Sequence, residues 1–478
     1  MVFVFRSAVK LCILTRCGSG RRITESLVVR LKPSSGSKNL NMNSKRGCLR
    51  LVGLVLILAL ASGAWAASEK VLYTFQGMDG CGPNSVVVGS DGALYGTTVA
   101  AGASTCSADG PSGAVFQLTR GSDGKWSETV LHLFSGSDGW GPVGPLVADK
   151  AGNLYGTTVY GGPNGCSGLG CGVAFELKRG SGRKWTFKIL HLFFQKIGDG
   201  LQPYVGMIFD SKGNLYGTTS GGGNTSACAG GCGVVFELSP ASKGKWTETV
   251  LYSFSGSDGE KPGGPLVFDS SGDLYGTTEV GGDHGYGTVF KLSQRHGQWS
   301  EEILHSFDRI TGDGIDPGFG LTFDSSGNLY GATPVSGGKI ENGWGTAFKL
   351  TPTGGGKWTE TILHRFNRAK FGGGLVSSGL ALDRSGDLYG TAAWGGKYDC
   401  PLGGGLGCGV VFKLAPQADG KWTESVLHSF GQGNDGAFPG GGLVFDSAGH
   451  LFGTTGNGGY VGSPCGEEGC GVVFEVAP

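Results

Sequence analysis

The sequence is poor in charge, and its two signs balance. Charged residues make up 16% of the 478 residues, as 38 basic and 38 acidic side chains. Electrostatic capture of nucleic acid or of an anionic membrane needs a basic excess, so neither is expected as a partner. The repeated part of the chain also lacks the 3.6-residue apolar period of a helix, which argues against a helical architecture.

Long apolar runs are confined to one place near the N-terminus. Lys45, Arg46 and Arg50 precede an apolar run over residues 51–61, and Ala64-Trp65-Ala66 follows it. A run this short, with a basic start and a small-residue cleavage motif, is typical of a secretory signal peptide rather than of a membrane anchor. We predict a signal peptide over residues 42–66, residues 1–41 from a misplaced start codon ahead of Met42, and secretion to the extracellular space or the periplasm.

Glycine is abundant, with 96 residues, but it recurs at fixed places between apolar runs instead of marking disorder. The spacing follows a phrase similar to Leu-Tyr-Gly-Thr-Thr, whose seven copies start 55 to 63 residues apart. The copies start at Leu94, Leu154, Leu215, Leu274, Leu329, Leu388 and Leu451. A period of this size indicates a repeated supersecondary unit that must pack on its neighbours.

Each repeat reads as four short strands. In the fourth repeat, residues 265–269, 274–278, 288–292 and 299–307 are rich in β-branched and aromatic residues and are separated by turn residues. Four-stranded units repeated seven times predict an all-β fold, a seven-bladed β-propeller of antiparallel blades.

The two ends of the repeat region complement each other. The seventh repeat stops after its third strand, at residues 472–476, and residues 70–75 resemble the fourth strand at residues 249–254. We therefore predict that the N-terminal strand pairs with the last blade and closes the ring, which leaves no open sheet edge. Residues 67–478 are expected to form a single domain.

Ten of the thirteen cysteines lie in this domain, an even number that favours disulfides in an exported protein. Four pairs are local, each between the second and third strands of one blade. They are Cys166 with Cys171, Cys228 with Cys232, Cys400 with Cys408, and Cys465 with Cys470. Cys81 and Cys106 lie in two loops of blade one that reach the same face, so we predict a fifth pair. Zinc is the alternative, but no matching half-site is present, and no metal site is predicted.

Histidine and aspartate also recur in register. The histidines are His132, His191, His305, His364 and His428, and the aspartates are Asp79, Asp138, Asp199, Asp258, Asp313 and Asp435. Equivalent positions in different blades lie far apart, so we predict half-buried strand histidines and Asp-Gly turns. Calcium is the disfavoured alternative because each loop supplies only one or two carboxylates, and no cofactor is predicted.

Aromatic residues in the loops of the cysteine-bearing face are the candidate ligand contacts. They are Trp140, Tyr160, Tyr204, Tyr286, Trp344, Trp394 and Tyr460. They suggest a non-catalytic, monomeric binding or scaffold module for an extracellular ligand, a glycan or a protein. Several of these rings could instead cover the top of the core.

Two other functions stay open, a polysaccharide lyase or hydrolase and a structural envelope protein. An enzyme would break the repeat symmetry in one blade, but the unmatched polar residues fall in four blades. They are Asp283, His284, Glu341, Asp399, Glu467 and Glu468. No catalytic residue is therefore assigned.

The phrases Gly-Asn-Leu-Tyr-Gly-Thr-Thr, at residues 152–158, and Gly-Val-Val-Phe-Glu-Leu, at residues 233–238, resemble the GloVer tandem repeat. This family, named "choice-of-anchor" for its varied C-terminal sorting signals, implies an exported bacterial protein. The resemblance covers about 410 residues and transfers no catalytic residue. Because the sequence ends at Ala477-Pro478 directly after the last strand, release rather than surface sorting is expected.

Overall fold

The computed structural model describes residues 68–101, 113–163, 166–194, 196–335, 343–367, 372–400, 405–459, 461 and 465–477. Ala66–Pro478 form one compact unit. The predicted leader and signal peptide therefore lie outside the described residues. None of the described segments is a helix long and apolar enough to cross a membrane.

Seven antiparallel sheets form the blades of a seven-bladed propeller, which confirms the predicted fold class. The second strands carry the repeated phrase and span Leu94–Ala100, Leu154–Thr158, Leu215–Thr219, Leu274–Val280, Leu329–Thr333, Leu388–Gly395 and Leu451–Asn457. The third strands span Ala114–Arg120, Val173–Arg179, Val234–Pro240, Thr288–Arg295, Thr346–Gly354, Val410–Pro416 and Val472–Ala477.

The first strand of each blade is its inner strand, and it is broken in three blades. These strands span Cys81–Val88, Val147–Ala148, Ile208–Phe209, Glu260–Pro262 with Val267–Phe268, Thr322–Phe323, Gly373–Val376 with Ala381–Leu382, and Ala437–Pro439 with Val444–Phe445. Gly200–Leu201 pairs separately with Gly221–Gly222 in blade three.

The outer strands complete the blades. They span Trp126–Leu133, Trp185–Leu192, Trp246–Ser253, Gln298–Ser306, Lys357–Arg365 and Trp422–Ser429 in blades one to six, and Ser68–Thr74 in blade seven. The helical segments of the described residues are three single 3-10 turns, Cys166–Gly168, Ser181–Arg183 and Ser242–Gly244.

The glycine of the repeated phrase makes room for a phenylalanine. In blade three, Gly217 pairs with Phe236 of the third strand, and a Cβ on Gly217 would lie 2.6 Å from Phe236 Cζ. The ring is fully buried. A fully buried phenylalanine stabilises a core by about 1.5–3 kcal/mol, so the phrase needs glycine at this position.

The other residues of the phrase satisfy polar groups within the blade. In blade two, Asp149 Oδ1 accepts hydrogen bonds from the backbone N–H groups of Ala151 and Asn153, and its Oδ2 accepts one from the Tyr155 hydroxyl at 3.1 Å. Thr158 Oγ1 donates to the Tyr160 carbonyl and accepts from Val173 N–H. The phrase is therefore a self-contained hairpin with its side chains committed to the scaffold.

Neighbouring blades are joined by aromatic contacts. The phenylalanine that follows each outer strand packs on the third-strand phenylalanine of the next blade, as Phe193 does on Phe236 with ring centroids 5.1 Å apart. The second-strand tyrosine packs on the next blade's outer tryptophan, as Tyr155 does on Trp246 at 6.1 Å. Each such pair contributes about 0.5–1.5 kcal/mol beyond its buried area.

The ring closes as the sequence predicts. Val71 of the N-terminal strand pairs with Phe474 of the seventh blade in an antiparallel ladder. Thr454 of blade seven then donates to the Asn84 carbonyl of blade one at 2.9 Å. The last blade is therefore completed by the first segment of the domain and packs directly against blade one.

Candidate functional site

The recurring histidines and aspartates are partners in four of the interfaces between blades, whereas His364 pairs with Glu424 at 3.1 Å. His132 Nε2 lies 2.9 Å from Asp138 Oδ2, while Asp138 Oδ1 accepts the Ser135 N–H at 2.8 Å. In the two interfaces that have tyrosine, the hydroxyl takes the place of the imidazole, and Tyr252 donates to Asp258 at 2.6 Å. The predicted Asp turns and half-buried histidines are confirmed, but their pairing was not predicted. The similar spacing of the partners, six to eight residues, was the available signal.

A glutamate of the next blade's outer strand completes most of these pairs, and sequence reasoning missed it. Glu360 Oε1 lies 3.8 Å from His305 Nε2, and burial, followed by the charge of Asp258, raises the pKa of Glu301 to about 8. Phe187 replaces the glutamate between blades one and two and stacks on His132 at 4.0 Å. We call these His/Tyr-Asp-Glu groups the seam triads.

Three of the predicted ligand-contact residues lie together on the cysteine-bearing face. The Trp140 and Tyr160 ring centroids are 5.2 Å apart, and the Tyr160 and Tyr204 hydroxyl oxygens are 3.4 Å apart. Trp140 and Tyr160 are half-buried, whereas 43% of Tyr204 is exposed. These rings come from blades two and three, and we call them the aromatic platform.

A charged group borders this platform, and sequence reasoning did not single it out. Burial, the Tyr160 hydroxyl and the negative charge of Glu279 raise the pKa of Tyr204 to about 12. Partial burial raises the pKa of Glu279, and the charge of Asp316 raises it further while Lys261 opposes the shift. Glu279 follows the phrase directly, where the other repeats have no charged residue. That comparison of aligned repeats could have found it.

Two glycines provide the space for the Glu279 side chain. A Cβ on Gly263 would lie 2.7 Å from Glu279 Oε1, and a Cβ on Gly318 would lie 3.3 Å from its Cγ. Gly263 belongs to blade four and Gly318 to blade five, so the carboxylate sits where two blades meet. Burial also raises the pKa of Asp316, against the opposing charge of Lys261. Two carboxyl groups with raised pKa values and one lysine therefore occupy this edge of the platform.

Each blade has one inner-segment residue whose backbone lies in the left-handed region. The residues at equivalent positions of the inner segments have φ between 55° and 65°. They are Gly82, Gly141, Gln202, Lys261, Asp316, Leu375 and Phe438. Five of these are not glycine, although the left-handed region is costly for residues with a Cβ. Because all seven blades share this conformation, it belongs to the scaffold, and in blades four and five it is the conformation of Lys261 and Asp316.

The other predicted aromatics do not join the platform. Tyr286 and Trp344 replace cysteine in blades four and five, and their backbone carbonyls accept hydrogen bonds from Asp316 and Leu375 of the next blade. Cysteine carbonyls make the same contact elsewhere, as Cys232 does with Lys261 at 2.9 Å. Trp394 packs on Phe438 with ring centroids 5.0 Å apart, and Tyr460 lies outside the described residues.

The four predicted local cysteine pairs are present as disulfides, with Cα–Cα distances of 4.9–5.3 Å. These separations are normal for disulfides, and four of them favour an oxidising compartment. Cys106 lies outside the described residues, so its predicted pairing with Cys81 stays a prediction. Cys81 Sγ is 2.7 Å from Cys470 Sγ, across the closure between blades seven and one.

The unmatched polar residues form no common site in the described part of the chain. Asp283 and His284 are exposed in blade four, Asp399 is exposed in blade six, and Glu468 accepts a hydrogen bond from Asn457 in blade seven. Glu467 is exposed beside it, and Glu341 lies outside the described residues.

A cleft of about 540 Å³ lies at the opposite ends of the blades, between blades seven and one. His450 lines it and lies 3.3 Å from Asp446 and 3.2 Å from Glu475. The cleft is formed by the turns between the first and second strands, away from the platform. Its histidine is held by two carboxylates that also belong to the hairpin scaffold.

Residues 166–400 match the model of a family described as the Gloeobacter/Verrucomicrobia repeat. No curated protein matches the chain. A fungal alcohol oxidase of the AA5 family, in complex with copper, is 13% identical, with 86% of this chain and 77% of the oxidase covered and a TM-score of 0.51. A hypothetical selenium-binding protein from Sulfolobus tokodaii is 12% identical, with 70% and 74% covered and a TM-score of 0.45. Such likeness shows the fold alone.

Proposed function

Because residues 166–400 match the Gloeobacter/Verrucomicrobia repeat and the chain folds as a propeller, we propose that it is an exported binding module whose aromatic platform holds a carbohydrate. The observation that supports this proposal most directly is the contact among Trp140, Tyr160 and Tyr204. The side chains of the repeated phrase are committed to the scaffold, whereas these rings differ from repeat to repeat and keep exposed surface.

The chemistry of the platform supports a sugar ligand. Tyrosine and tryptophan combine an apolar ring face with a polar edge, which matches the alternating C–H faces and hydroxyl edges of a pyranose. Glu279, Asp316 and Lys261 add charged groups that can exchange hydrogen bonds with hydroxyls at one side of the rings. Leu169 lies on a neighbouring loop and is 50% exposed. Its backbone carbonyl accepts a hydrogen bond from the Gly161 N–H.

Export is part of the same proposal. The four disulfides support an oxidising environment, and the basic and apolar segment before residue 67 has the pattern of a signal peptide. A protein released from the cell would meet polysaccharides of its own envelope or of its surroundings. N-terminal sequencing of the released protein tests the predicted start at Ala67.

A glycan array tests the binding function. We expect the wild-type chain to bind a defined set of glycans, and Trp140→Ala and Tyr204→Ala to lose at least about tenfold in affinity, which corresponds to about 1.4 kcal/mol. Tyr398→Ala is the matched control, because Tyr398 is a half-buried loop tyrosine of blade six bonded to Gln432. Absence of glycan binding by the wild type, or equal losses in the control, would refute the platform.

The Glu279 and Asp316 carboxyl groups favour a second candidate, a polysaccharide lyase or hydrolase. Glycoside hydrolysis needs two carboxyl groups, one of them with a raised pKa to act as an acid, and both groups here have raised values. Incubation with the glycans bound on the array, followed by assays for reducing ends and unsaturated products, tests this function. Turnover that is lost in Glu279→Gln and retained in Glu467→Gln would establish catalysis.

A further inference from the structure

We propose that His305, Asp313 and Glu360 bind one divalent metal ion of the zinc class between blades four and five. They form the seam triad of this interface and offer one imidazole nitrogen and two carboxylate oxygens. Their ligand atoms all lie within 4.8 Å of one another. Zinc sites that keep an open position use three protein ligands, drawn from His, Cys and Asp or Glu, with a water in the fourth position.

The distances fit such an ion. His305 Nε2 lies 3.0 Å from Asp313 Oδ2 and 3.8 Å from Glu360 Oε1. Zinc binds nitrogen and oxygen at about 2.0–2.2 Å, so tetrahedral ligands are about 3.4 Å apart. These two distances lie on either side of that value, and the Asp313 and Glu360 oxygens lie within 4.8 Å of each other, so rotation of the side chains would bring the three ligand atoms around one ion.

The site is buried and incompletely hydrogen-bonded. The side chains of Asp313 and Glu360 are only 9% and 14% exposed. Glu360 Oε1 is buried and accepts no hydrogen bond from the described residues. A buried carboxylate oxygen without a partner is costly, and a bound cation would remove that cost.

The three ligands sit on well-held segments. His305 and Glu360 lie on the outer strands of adjacent blades. Asp313 is fixed by the Asp308 N–H, which donates to its carboxylate at 3.1 Å, and by Thr346 Oγ1, which donates to its carbonyl. Such second contacts orient metal ligands before the ion binds.

Several other seam triads differ from this one in composition or in direct ion pairing. His191, Asp199 and Glu248 have a similar arrangement, but there Lys196 Nζ lies 2.8 Å from Glu248 Oε2 and pairs with it directly. At the His305 interface the nearby cation is Arg365, whose charge acts on Glu360 while its guanidinium donates to the Gly312 carbonyl. Phe187 removes the third ligand from the His132 interface, and tyrosine replaces the imidazole in two others. Calcium is disfavoured at His305 because it takes oxygen ligands.

Zinc titration of the chelator-stripped full chain, followed by isothermal calorimetry and by metal analysis after gel filtration, tests the site. We expect one zinc ion per chain and a higher melting temperature with zinc. His305→Asn and Glu360→Gln should each bind zinc at least about tenfold more weakly, whereas Glu248→Gln, the same change in the Lys196 interface, should bind it like the wild type. Circular dichroism confirms that each variant folds.

Two results would overturn the metal site. One is a wild-type chain that binds no zinc. The other is zinc that stays bound with unchanged affinity in both His305→Asn and Glu360→Gln, which would place the ion elsewhere.

Discussion

Phe75 meets Phe116 edge to face, with ring centroids 5.1 Å apart. Phe75 directly follows the N-terminal strand that completes blade seven, and its N–H donates to the Gly471 carbonyl of that blade at 3.1 Å. Phe116 belongs to the third strand of blade one. One fully buried side chain therefore connects the last blade to the first, so closure of the ring depends on core packing as well as on strand pairing.

We expect Phe75→Ala to lower the free energy of unfolding by about 3–5 kcal/mol, the usual cost of removing a fully buried phenylalanine. Urea unfolding followed by tryptophan fluorescence measures the change. Phe194→Ala is the control, because Phe194 is 48% exposed and its loss should change stability by no more than about 0.5 kcal/mol. Equal effects of the two substitutions would contradict a closure that depends on Phe75.

The glycine of the repeated phrase gives a second test of the scaffold. A methyl group on Gly217 would lie 2.6 Å from Phe236 Cζ, inside a fully packed blade. We expect Gly217→Ala to cost about 1–3 kcal/mol by overpacking. A Cβ on Gly442 would touch nothing within 4 Å, so Gly442→Ala should be neutral or slightly stabilising. Thermal unfolding of the two variants measures the difference, and an equally stable Gly217→Ala protein would show that the ring can move aside.

The scaffold could be predicted because the same strand and turn signals occur in every repeat. Seven copies of one phrase fix the strand order, and the partial seventh repeat together with residues 70–75 fixes the closure. The residues that join blades were harder to see, because a seam triad combines residues of two repeats. Glu360 lies 55 positions after His305 in the sequence, and only the ring geometry brings them together.

The candidate site could be predicted only in part. Aromatic residues in the top loops stood out by type, but their grouping depends on which loops of adjacent blades touch, as those of Trp140, Tyr160 and Tyr204 do. Glu279 was missed because a single acid after a strand looks ordinary. Its role depends on the space left by Gly263 and on its nearness to Asp316, neither of which local sequence can show.

The raised pKa of Glu301 predicts a pH dependence. Burial, the charge of Asp258 and that of Glu302 raise this pKa from 4.5 to about 8. Between about pH 5 and pH 8, the folded protein keeps a proton on Glu301 that the unfolded chain has lost, so this group makes stability fall as the pH rises. We expect Glu301→Gln to reduce that fall in urea unfolding experiments across this range.

Glu467→Gln is the control for the pH experiment, since Glu467 is exposed and should leave the pH profile unchanged. Glu128 has a similar environment, and burial with the charge of Asp79 raises its pKa to about 7. The double variant Glu128→Gln/Glu301→Gln should therefore flatten the profile further. A Glu301→Gln profile that is parallel to the wild-type profile would show that Glu301 titrates normally.

The short disulfides are expected to add stability without being needed for the fold. The Cys228–Cys232 pair spans four positions, and closing so short a loop contributes about 2 kcal/mol through the entropy of the unfolded chain. The Cys232 carbonyl accepts the Lys261 N–H at 2.9 Å, the contact that Tyr286 and Trp344 make in blades without cysteine. Cys228→Ser/Cys232→Ser should therefore stay folded, and its free energy of unfolding in urea should be about 2 kcal/mol lower than that of the wild type.

A reducing agent should lower the stability of this double variant less than it lowers that of the wild type, because one disulfide is already gone. A variant that fails to fold would mean that this disulfide, rather than the backbone contact, holds blades three and four together.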